Sequence, residues 1–232
     1  MRHFIPIVNR VAYLLPAALA GCRALWPVTT IIDNRDRPDE RGVDLAEIVG
    51  EVAVYTPPVP LTTAQTMNLM FRLSAEQGLP YFTWQHLDAV CLADTAERLP
   101  DLAHDLLARG EPWGVLLTRS ALARPHQLDG VTYRAIATDS FAAFNTAALR
   151  AVGGWDWVRF PFYVLDSDLY VRLQRAGFPV VHTELPVDHV RFSQTLRADP
   201  ERDAVAEAHW PLWRQLFSVK HGAAFWEYRL YS

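Results

Sequence analysis

The chain has 232 residues, of which 50% are hydrophobic, and its formal net charge at pH 7 is −4. This length can bury one large core, either in a single α/β domain or in two small domains. The acidic balance argues against broad, charge-driven binding to nucleic acid or to anionic membranes. Lys220 is the only lysine among the basic residues. An arginine-rich composition explains this more simply than recognition of phosphate or carboxylate groups does.

The two cysteines, Cys22 and Cys91, belong to no Cys-x-x-Cys motif. They therefore indicate neither a zinc site nor a disulfide framework. This use of cysteine fits a reducing compartment, and we expect a cytoplasmic protein.

The N-terminal segment allows two interpretations. A short apolar run over 4–8 predicts a first strand, and a second apolar run over 11–22 ends in Leu-Ala-Gly-Cys after a basic start, as in a bacterial lipoprotein signal. Alternatively, the second run is a helix, because apolar residues between Leu14 and Leu25 fall on one helical face. The helix is favoured because a buried-strand pattern follows Cys22 without a polar linker. No other apolar run is long enough to span a bilayer.

The rest of the first half alternates strands with helices. The predicted strands after the first are 28–32, 51–55, 80–84 and 113–118. Thr62 or Thr63 can cap a helix that runs to Gln77 and stops at Gly78, and Asp94 with Glu97 forms a capping-box pattern before a helix ending at Arg109-Gly110. This alternation predicts an α/β fold with a mostly parallel sheet flanked by helices.

Polar residues cluster where three of these strands end. The clusters are Asn9 with Arg10, Asp33 with Asn34, and His86 with Asp88. Turn chemistry explains any single cluster. Ligands of parallel α/β sheets bind beyond the carboxyl ends of the strands, so the three clusters together predict a ligand site there.

The second half of the chain is less regular. We predict strands over 141–144 and 180–182, the latter followed by an apolar segment over 186–190, and a short helix capped by Asn145 that ends at Gly153-Gly154. Asp199-Pro200 predicts the start of a C-terminal helix. The sequence contains no internal repeat, low-complexity segment or clear linker, and we therefore expect one domain over 1–232.

Residues 153–177 combine a Gly-Gly-Trp-Asp motif, an aromatic loop and two aspartates before a helical pattern. Asp166 or Ser167 can cap that helix, and Gly177 supplies its stop. Capping alone explains a carboxylate at this position, where helix amides and the helix dipole stabilise it. Catalytic use of Asp166 is the other hypothesis, and it depends on the rest of the chain.

The chain resembles the family 2 glycosyltransferases, nucleotide-sugar enzymes with the GT-A (Rossmann-like) fold. Six segments over about residues 3 to 195 carry the resemblance: Pro6 to Arg10, Ile31 to Asn34, Asn68, Trp84 to Val90, Gly153 to Asp156, and Leu165 to Leu169 with Arg172. Two departures concern the site. The metal motif reads His86-Leu87-Asp88, which keeps only its second acid, and Leu165 replaces the usual glutamate.

The resemblance implies a metal-dependent transfer of sugar from a nucleoside diphosphate to an acceptor hydroxyl, with inversion. Asp166 is implied as the catalytic base, and Asp88 and His189 as ligands of Mn²⁺ or Mg²⁺. His86 is either a third ligand or a hydrogen-bond donor to phosphate. Asp168 is expected to be a cap or a partner of Arg172.

The other implied roles concern donor and acceptor. The donor-binding residues are Pro6, Asn9, Arg10, Asp33, Asn68 and His86, and the acceptor residues are Trp155 and Asp156. Residues 157–163 are expected to form a lid ordered by the donor. Residues 1–118 then form the nucleotide-sugar half, 119–198 the acceptor and catalytic half, and 199–232 a C-terminal helical segment.

Three alternatives stay open. The first is a GT-A-like module that has lost catalysis and binds a nucleotide or glycan, which the broken metal motif favours. The second is nucleotidyl transfer, against which the missing Gly-rich phosphate loop speaks, and the third is a lipid-anchored surface protein. The acceptor can be a glycan, a small metabolite, a protein side chain or a modified nucleotide, and the sequence does not indicate an oligomeric state.

Overall fold

A central sheet of eight strands organises the molecule. The structure is a computed structural model that describes residues 1–121, 126–128, 131–133, 137–189 and 200–228. The strands are β1 (His3–Ile7), β2 (Thr29–Asp33), β3 (Ala53–Tyr55), β4 (Tyr81–Gln85), β5 (Val90–Cys91), β6 (Val115–Ser120), β7 (His126–Leu128), β8 (Val131–Tyr133), β9 (Ala137–Asn145) and β10 (Val180–Asp188). The order in the main sheet is β3-β2-β1-β4-β9-β6-β10-β5, and β7 pairs with β8 in a separate hairpin.

Strand direction brings the polar clusters to one edge of the sheet. β9 runs antiparallel to both β4 and β6, and β5 antiparallel to β10, whereas the other neighbouring pairs are parallel. The carboxyl ends of β1, β2, β4 and β10 therefore meet the start of β9 at the same edge. We call it the carboxyl edge. It carries Asn9, Asp33, His86 and His189.

Helices cover both faces of the sheet. They are α1 (Val11–Gly21), α2 (Pro38–Arg41), α3 (Leu45–Val49), α4 (Thr63–Glu76), α5 (Thr95–Ala108), α6 (Thr146–Val152), α7 (Leu165–Arg175) and α8 (Pro200–His221), with 3₁₀ turns at Arg23–Val28 and Phe225–Tyr228. Successive strand residues point to opposite faces, so Phe4 joins the core under α4, α6, α7 and α8, while Ile5 joins the core under α1 and α5.

Local sequence signals predicted several element ends correctly. Thr62 and Gln65 form a full capping box at the start of α4, and Gly78 follows that helix with a φ of +66°. The Asn145 side chain accepts hydrogen bonds from the amides of Ala147 and Ala148 and so caps α6. These ends depend on side chains within three or four residues, which a sequence pattern captures.

Three predictions of local structure are wrong. Asp94 makes no capping hydrogen bond to α5, and its carboxylate lies 3.9 Å from Arg98 Nε instead. α1 stops at Gly21 because Cys22 leaves the helical conformation with a φ of −117° and a ψ of +29°, and a 3₁₀ turn replaces the rest of the predicted helix. The strand predicted over 180–182 continues to Asp188 because it pairs along β6 and then with β5.

The N-terminal segment that resembles a lipoprotein signal is a packed helix in the structure. α1 buries five apolar side chains: Val11, Leu14, Leu15, Ala18 and Leu19. Cys22 is fully buried, its thiol donates to the Leu19 carbonyl at 3.6 Å, and burial raises its pKa to about 12. Over the described ranges, no helix combines the length and apolar character needed to cross a membrane. The predicted cap Asp199 and the predicted segment end Val190 lie outside those ranges.

Candidate functional site

Three potential metal ligands meet at the carboxyl edge: His86, Asp88 and His189. One donor atom from each lies within 4.8 Å of the other two. His189 Nε2 is 3.1 Å from Asp88 Oδ1, and His86 Nδ1 is 3.8 Å from the same oxygen. The Asp88 side chain is 2% exposed. A buried carboxylate beside two imidazoles is a donor set that suits a divalent cation.

Strand register brings these residues together although they are distant in sequence. Val90 of β5 lies opposite Asp188 of β10 in an antiparallel pair, so Asp88 and His189 face each other just beyond it. His86 follows β4 directly, and its amide donates to the Ser140 carbonyl of β9 at 2.7 Å. The group, which we call the His-Asp-His triad, is therefore held by three strands.

His86 is in the protonation state that a metal needs. Burial, followed by the neighbouring His189, lowers the pKa of His86, and the charges of Asp88 and Asp139 only partly offset this. The imidazole is therefore neutral at pH 7 and can offer a nitrogen lone pair. Its ring lies edge-on to Trp84, with centroids 4.5 Å apart, which fixes its orientation.

Asp166 lies in the first turn of α7, and Tyr170 of the same helix binds Asp139 of β9. Trp155 Nε1 donates to Asp166 Oδ1 at 3.2 Å, and the Tyr170 hydroxyl donates to Asp139 Oδ2 at 3.2 Å. Burial, and next the charge of Asp139, raises the pKa of Asp166 well above its ordinary value. A negative charge on Asp139 thus disfavours the charged form of Asp166.

Asp139 also faces the triad, and the sequence analysis missed it. Its charge raises the pKa of His86, and its carbonyl accepts a 2.7 Å hydrogen bond from Trp84 Nε1. The Trp84 indole, which packs against His86, therefore links Asp139 to the triad. The predicted strand began only at Phe141, whereas β9 begins at Ala137. The polar run Thr138-Asp139-Ser140 at the start of an antiparallel strand is the signal that could have indicated it.

Asp166 does not cap α7. The helix begins at Leu165, and the residue before it, Val164, has a φ of +62° and makes no side-chain cap. The capping prediction for Asp166 and Ser167 is therefore wrong, because the helix starts earlier and leaves Asp166 inside its first turn. The predicted stop is confirmed, since Gly177 follows the helix with a φ of +83°.

Asn68 holds the backbone beside this pair of acids. Its Nδ2 donates to the Trp155 carbonyl and its Oδ1 accepts from the Trp155 amide, both at 2.9 Å. Gly154 has a φ of +71°, and a Cβ there would lie 2.4 Å from Asn68 Oδ1. Asn68, which is predicted to bind the nucleotide-sugar donor, thus hydrogen-bonds the backbone of Trp155 in the structure. That backbone positions the Trp155 indole on Asp166.

The two adjacent glycines allow a matched test of this arrangement. We expect Gly153→Ala to cost about 1 kcal/mol, because its φ of +77° disfavours a side chain but nothing lies within 4 Å. Gly154→Ala adds the collision with Asn68, and we expect a loss of about 3 kcal/mol or more. Urea unfolding of both variants measures the difference. Equal losses in unfolding free energy would contradict the Asn68 contact.

Four further residues predicted to bind the nucleotide-sugar donor lie on β1 and β2 or directly after β1. Asp33 binds Arg35 through both oxygens, at 2.7 and 2.9 Å, and Pro6 lies within β1 opposite Ile32. Asn9 is buried just beyond β1, and the Arg10 guanidinium stacks 4.9 Å from the Tyr13 ring centre. Asn9, Arg10 and Asp33 share the carboxyl edge with the triad.

The amides at the start of α1 already bind an anion of the protein itself. The Glu40 carboxylate accepts from the amides of Arg10 and Val11, the latter at 3.2 Å. A helix N-terminus is a ready site for phosphate, but a carboxylate held there competes with it. The connection from β1 to α1 is only residues 8–10, without glycine.

The predicted acceptor residues border a cleft of about 690 Å³ between α4, α7, α8 and the loop over 153–159. Trp155 is only 2% exposed. Asp156 is 2.7 Å from Lys220 Nζ and 2.9 Å from Arg159 Nη1. Burial raises the pKa of Asp156, but its bonds to Lys220 and Arg159 outweigh this and bring it to about 2. In the segment predicted to be a lid, Trp157 is 50% exposed.

Asp168 is fully buried beneath this cleft and is surrounded by cationic side chains. Its carboxylate is 2.8 Å from Arg172 Nε, 2.6 Å from Lys220 Nζ and 2.8 Å from His221 Nε2. The expected pairing of Asp168 with Arg172 is therefore observed. The contacts fasten α8 to α7 and explain how a charge can be buried here.

No protein-family model matches the sequence, and no curated protein is similar to it in sequence. Solved structures are similar in fold. A protein assigned as a glucose-1-phosphate thymidylyltransferase from Bacillus anthracis has a TM-score of 0.55 at 12% identity, with 87% of this chain and 95% of that chain covered. A CMP:2-keto-3-deoxy-manno-octonic acid synthetase complexed with CTP has a TM-score of 0.52 at 11% identity, with 89% of this chain and 98% of that chain covered.

The fold is Rossmann-like. The predicted α/β, GT-A-type architecture, a mostly parallel sheet flanked by helices, is confirmed by this similarity and by the strand order. The catalytic domain of Drosophila β1,4-galactosyltransferase 7 also aligns, with a TM-score of 0.48 at 16% identity over 82% of this chain and 70% of that one. Similarity at these identities establishes the fold alone, and membership of family 2 stays a prediction.

Proposed function

We propose that the protein is a metal-dependent glycosyltransferase that moves a sugar from a nucleoside diphosphate to an acceptor hydroxyl. One observation carries the proposal: Asp139 accepts a hydrogen bond from Tyr170 of α7, the helix that carries Asp166, and its carbonyl binds the Trp84 indole that packs against His86 of the triad. A potential base and a potential cation site thus share one edge of a nucleotide-binding type of sheet. That combination is what transfer from a diphosphate donor requires.

The triad would hold the cation. Asp88 would supply a carboxylate oxygen, and His86 and His189 would each supply an imidazole nitrogen. Two imidazoles in the set favour Mn²⁺ over Mg²⁺, which prefers oxygen ligands and retained water. When bound, the cation neutralises the charge that develops on the leaving diphosphate. Asp33, the last residue of β2 on the same edge, would accept a hydrogen bond from the base or ribose of the nucleotide.

Asp166 would remove the proton from the acceptor hydroxyl. A general base works best with a pKa near the working pH, and both burial and Asp139 raise that of Asp166 toward it. The Trp155 indole keeps one lone pair of the carboxylate engaged, which orients the other oxygen. A single base opposite the leaving group gives a direct displacement, and we therefore propose inversion at the anomeric carbon.

The pH dependence of the reaction tests the pairing of the two acids. After burial, the charge of Asp139 is the main cause that raises the pKa of Asp166, so Asp139→Asn lowers that pKa. The charged base then persists to lower pH, and we expect the acidic limb of the kcat/KM profile to move to lower pH. Asp94→Asn, at an exposed position on α5, serves as the control and leaves the limb in place. A limb that stays fixed, or moves to higher pH, in Asp139→Asn would contradict the pairing.

Nucleotidyl transfer is the rival that the similar structures bring forward. Against it stands Glu40, whose carboxylate occupies the amides at the start of α1. A triphosphate binding there would have to displace it, at a cost in hydrogen bonds and with repulsion between anions. A module that binds a nucleotide without catalysis would have no use for the raised pKa of Asp166.

The proposal is tested with a panel of nucleotide sugars incubated with Mn²⁺. We expect one donor to bind and to be hydrolysed slowly, because water can replace the missing acceptor. Formation of a nucleotide sugar from a nucleoside triphosphate and a sugar 1-phosphate would instead identify nucleotidyl transfer. Binding of a donor without any turnover, with and without the metal, would identify a binding module.

A further inference from the structure

The cleft between α4, α7 and α8 has a charge opposite to that of the whole chain. The chain carries a formal net charge of −4, yet four cationic side chains line this cleft: Arg72, Arg159, Arg172 and Lys220. Asp156 is the carboxylate among the lining residues. Because Coulomb forces act over several ångströms in a partly enclosed space, the cleft attracts anions.

The neighbouring acids do not cancel this excess. Asp156 and the buried Asp168 are shared among Arg159, Arg172 and Lys220, which leaves fewer carboxylates than cations. Burial is the main cause that lowers the pKa of His221, so this imidazole adds no charge at pH 7. Arg72 Nε lies 3.7 Å from the exposed carboxylate of Glu76, a long distance for an ion pair.

Aromatic side chains lie beside these cations. Phe71 and the half-exposed Trp157 line the same cleft, and Trp157 also borders a neighbouring cavity of about 330 Å³ together with Arg72. Flat aromatic surfaces pack well against rings, and arginine binds phosphate or carboxylate in a two-pronged fashion. The side chains that line the cleft can therefore contact both the ring and the anionic group of one small molecule.

We propose that this cleft is a binding site for a small organic anion, a ring compound that carries a phosphate or a carboxylate. None of the triad residues, Asp33 or Asp166 lines it, so it is separate from the carboxyl edge where the donor is proposed to bind. Its connection to that edge is Trp155, which lines the cleft and hydrogen-bonds Asp166 through Nε1.

Two sources share this chemistry, and the choice between them rests on the proposed transferase function. One is an acceptor that carries the anionic group; the other is a separate ligand that acts on Asp166 through Trp155. Arg172 lies six residues beyond Asp166 on α7, about 9 Å along the helix axis. An acceptor would therefore need its anionic group roughly that far from the hydroxyl that reacts, about the length of two sugar rings.

The site is tested by binding, without any donor. Glucose 6-phosphate and glucose are compared as probes by calorimetry at low salt, with wild-type protein. We expect the phosphate to bind measurably more tightly than glucose and to lose affinity as salt is added. Equal affinity of the two probes, or no binding of either, would overturn the proposal without touching the transferase assay.

Two exposed cations provide variants that leave the contacts of the buried Asp168 intact. Arg72→Gln combined with Arg159→Gln should weaken binding of glucose 6-phosphate by about tenfold or more, since hydrogen bonds to charged groups are lost. Arg98→Gln is the matched control, because Arg98 is 63% exposed and pairs with Asp94 four residues away on α5, just as Arg72 pairs with Glu76. Equal weakening in the control would contradict a site in the cleft.

The donor assay separates the two sources. Glucose 6-phosphate and, to span the distance of about 9 Å between Asp166 and Arg172, a phosphorylated disaccharide are added in turn to the nucleotide sugar and Mn²⁺, and the products are weighed by mass spectrometry. A glycosylated phosphate identifies the cleft ligand as the acceptor, whereas a changed rate of donor hydrolysis without that product identifies a separate ligand. If the Arg72→Gln, Arg159→Gln variant instead loses affinity for uridine diphosphate with Mn²⁺ and keeps it for glucose 6-phosphate, the proposal is wrong.

Discussion

Asp166→Asn is expected to lower kcat for sugar transfer by about 10² to 10⁴-fold, the usual contribution of a positioned general base. Asparagine has nearly the same shape, and its Oδ1 can still accept the hydrogen bond that Trp155 Nε1 makes to Asp166. The fold and the donor affinity should therefore persist. The measurement is initial-rate kinetics with donor and acceptor, accompanied by thermal unfolding to show that the variant is folded.

Two comparisons make this result specific. Asp94→Asn, with an exposed carboxylate near the start of α5, should keep wild-type kinetics. Asp166→Glu should recover part of the loss if a base is all that is needed, although the longer side chain misplaces it. An Asp166→Asn protein with near wild-type kcat would remove the base assignment, and Asp139 would become the first candidate to replace it.

Asp88→Asn is expected to weaken Mn²⁺ binding by more than about 100-fold, because losing a ligand exceeds the usual cost of losing a residue that only orients one. Asp88 is the one acid of the triad, and the His189 and His86 nitrogens lie 3.1 and 3.8 Å from its Oδ1. Metal-dependent turnover should fall in parallel. Electron paramagnetic resonance of Mn²⁺ measures the affinity without any substrate.

Substitutions of the two histidines of the triad provide a comparison with Asp88→Asn. His86→Gln and His189→Gln should each weaken Mn²⁺ binding, but less than Asp88→Asn does, since they remove a neutral ligand and keep the charge. His182→Gln, at an exposed position on β10, is the control on the same strand as His189. Unchanged Mn²⁺ affinity in Asp88→Asn would show that the three residues form only a hydrogen-bonded cluster.

The fold was predictable from the sequence because secondary structure is signalled by residues close together along the chain. Alternating strands and helices predicted the α/β sheet, and single side chains such as Thr62 and Asn145 set helix starts that the structure bears out. Asp94 shows the limit of such signals. It has the capping pattern, but its backbone has a φ of −97° and a ψ of +20°, outside the extended conformation that capping residues adopt.

The candidate site was only partly predictable because it depends on strand register. His86 and Asp88 stood out at a strand end, and His189 was implied only by a family resemblance. Their convergence requires the pairing of Val90 with Asp188, which nothing local reveals. Asp139 was missed for the same reason, since it reaches the carboxyl edge from an antiparallel strand, at that strand's start. The ionic contacts of Lys220 likewise join segments distant in sequence.

If the triad forms one site with Asp139 and Asp166, Mn²⁺ bound to the triad is a paramagnetic probe of both acids. Carbon-13 NMR of aspartate carboxyl groups is recorded while Mn²⁺ is added to wild type and to Asp88→Asn. We expect the signals of Asp139 and Asp166 to broaden early in wild type, before that of the exposed Asp94, and not in the variant. If Mn²⁺ broadens exposed carboxylates first and leaves Asp139 and Asp166 sharp, the two groups do not form one metal-centred site.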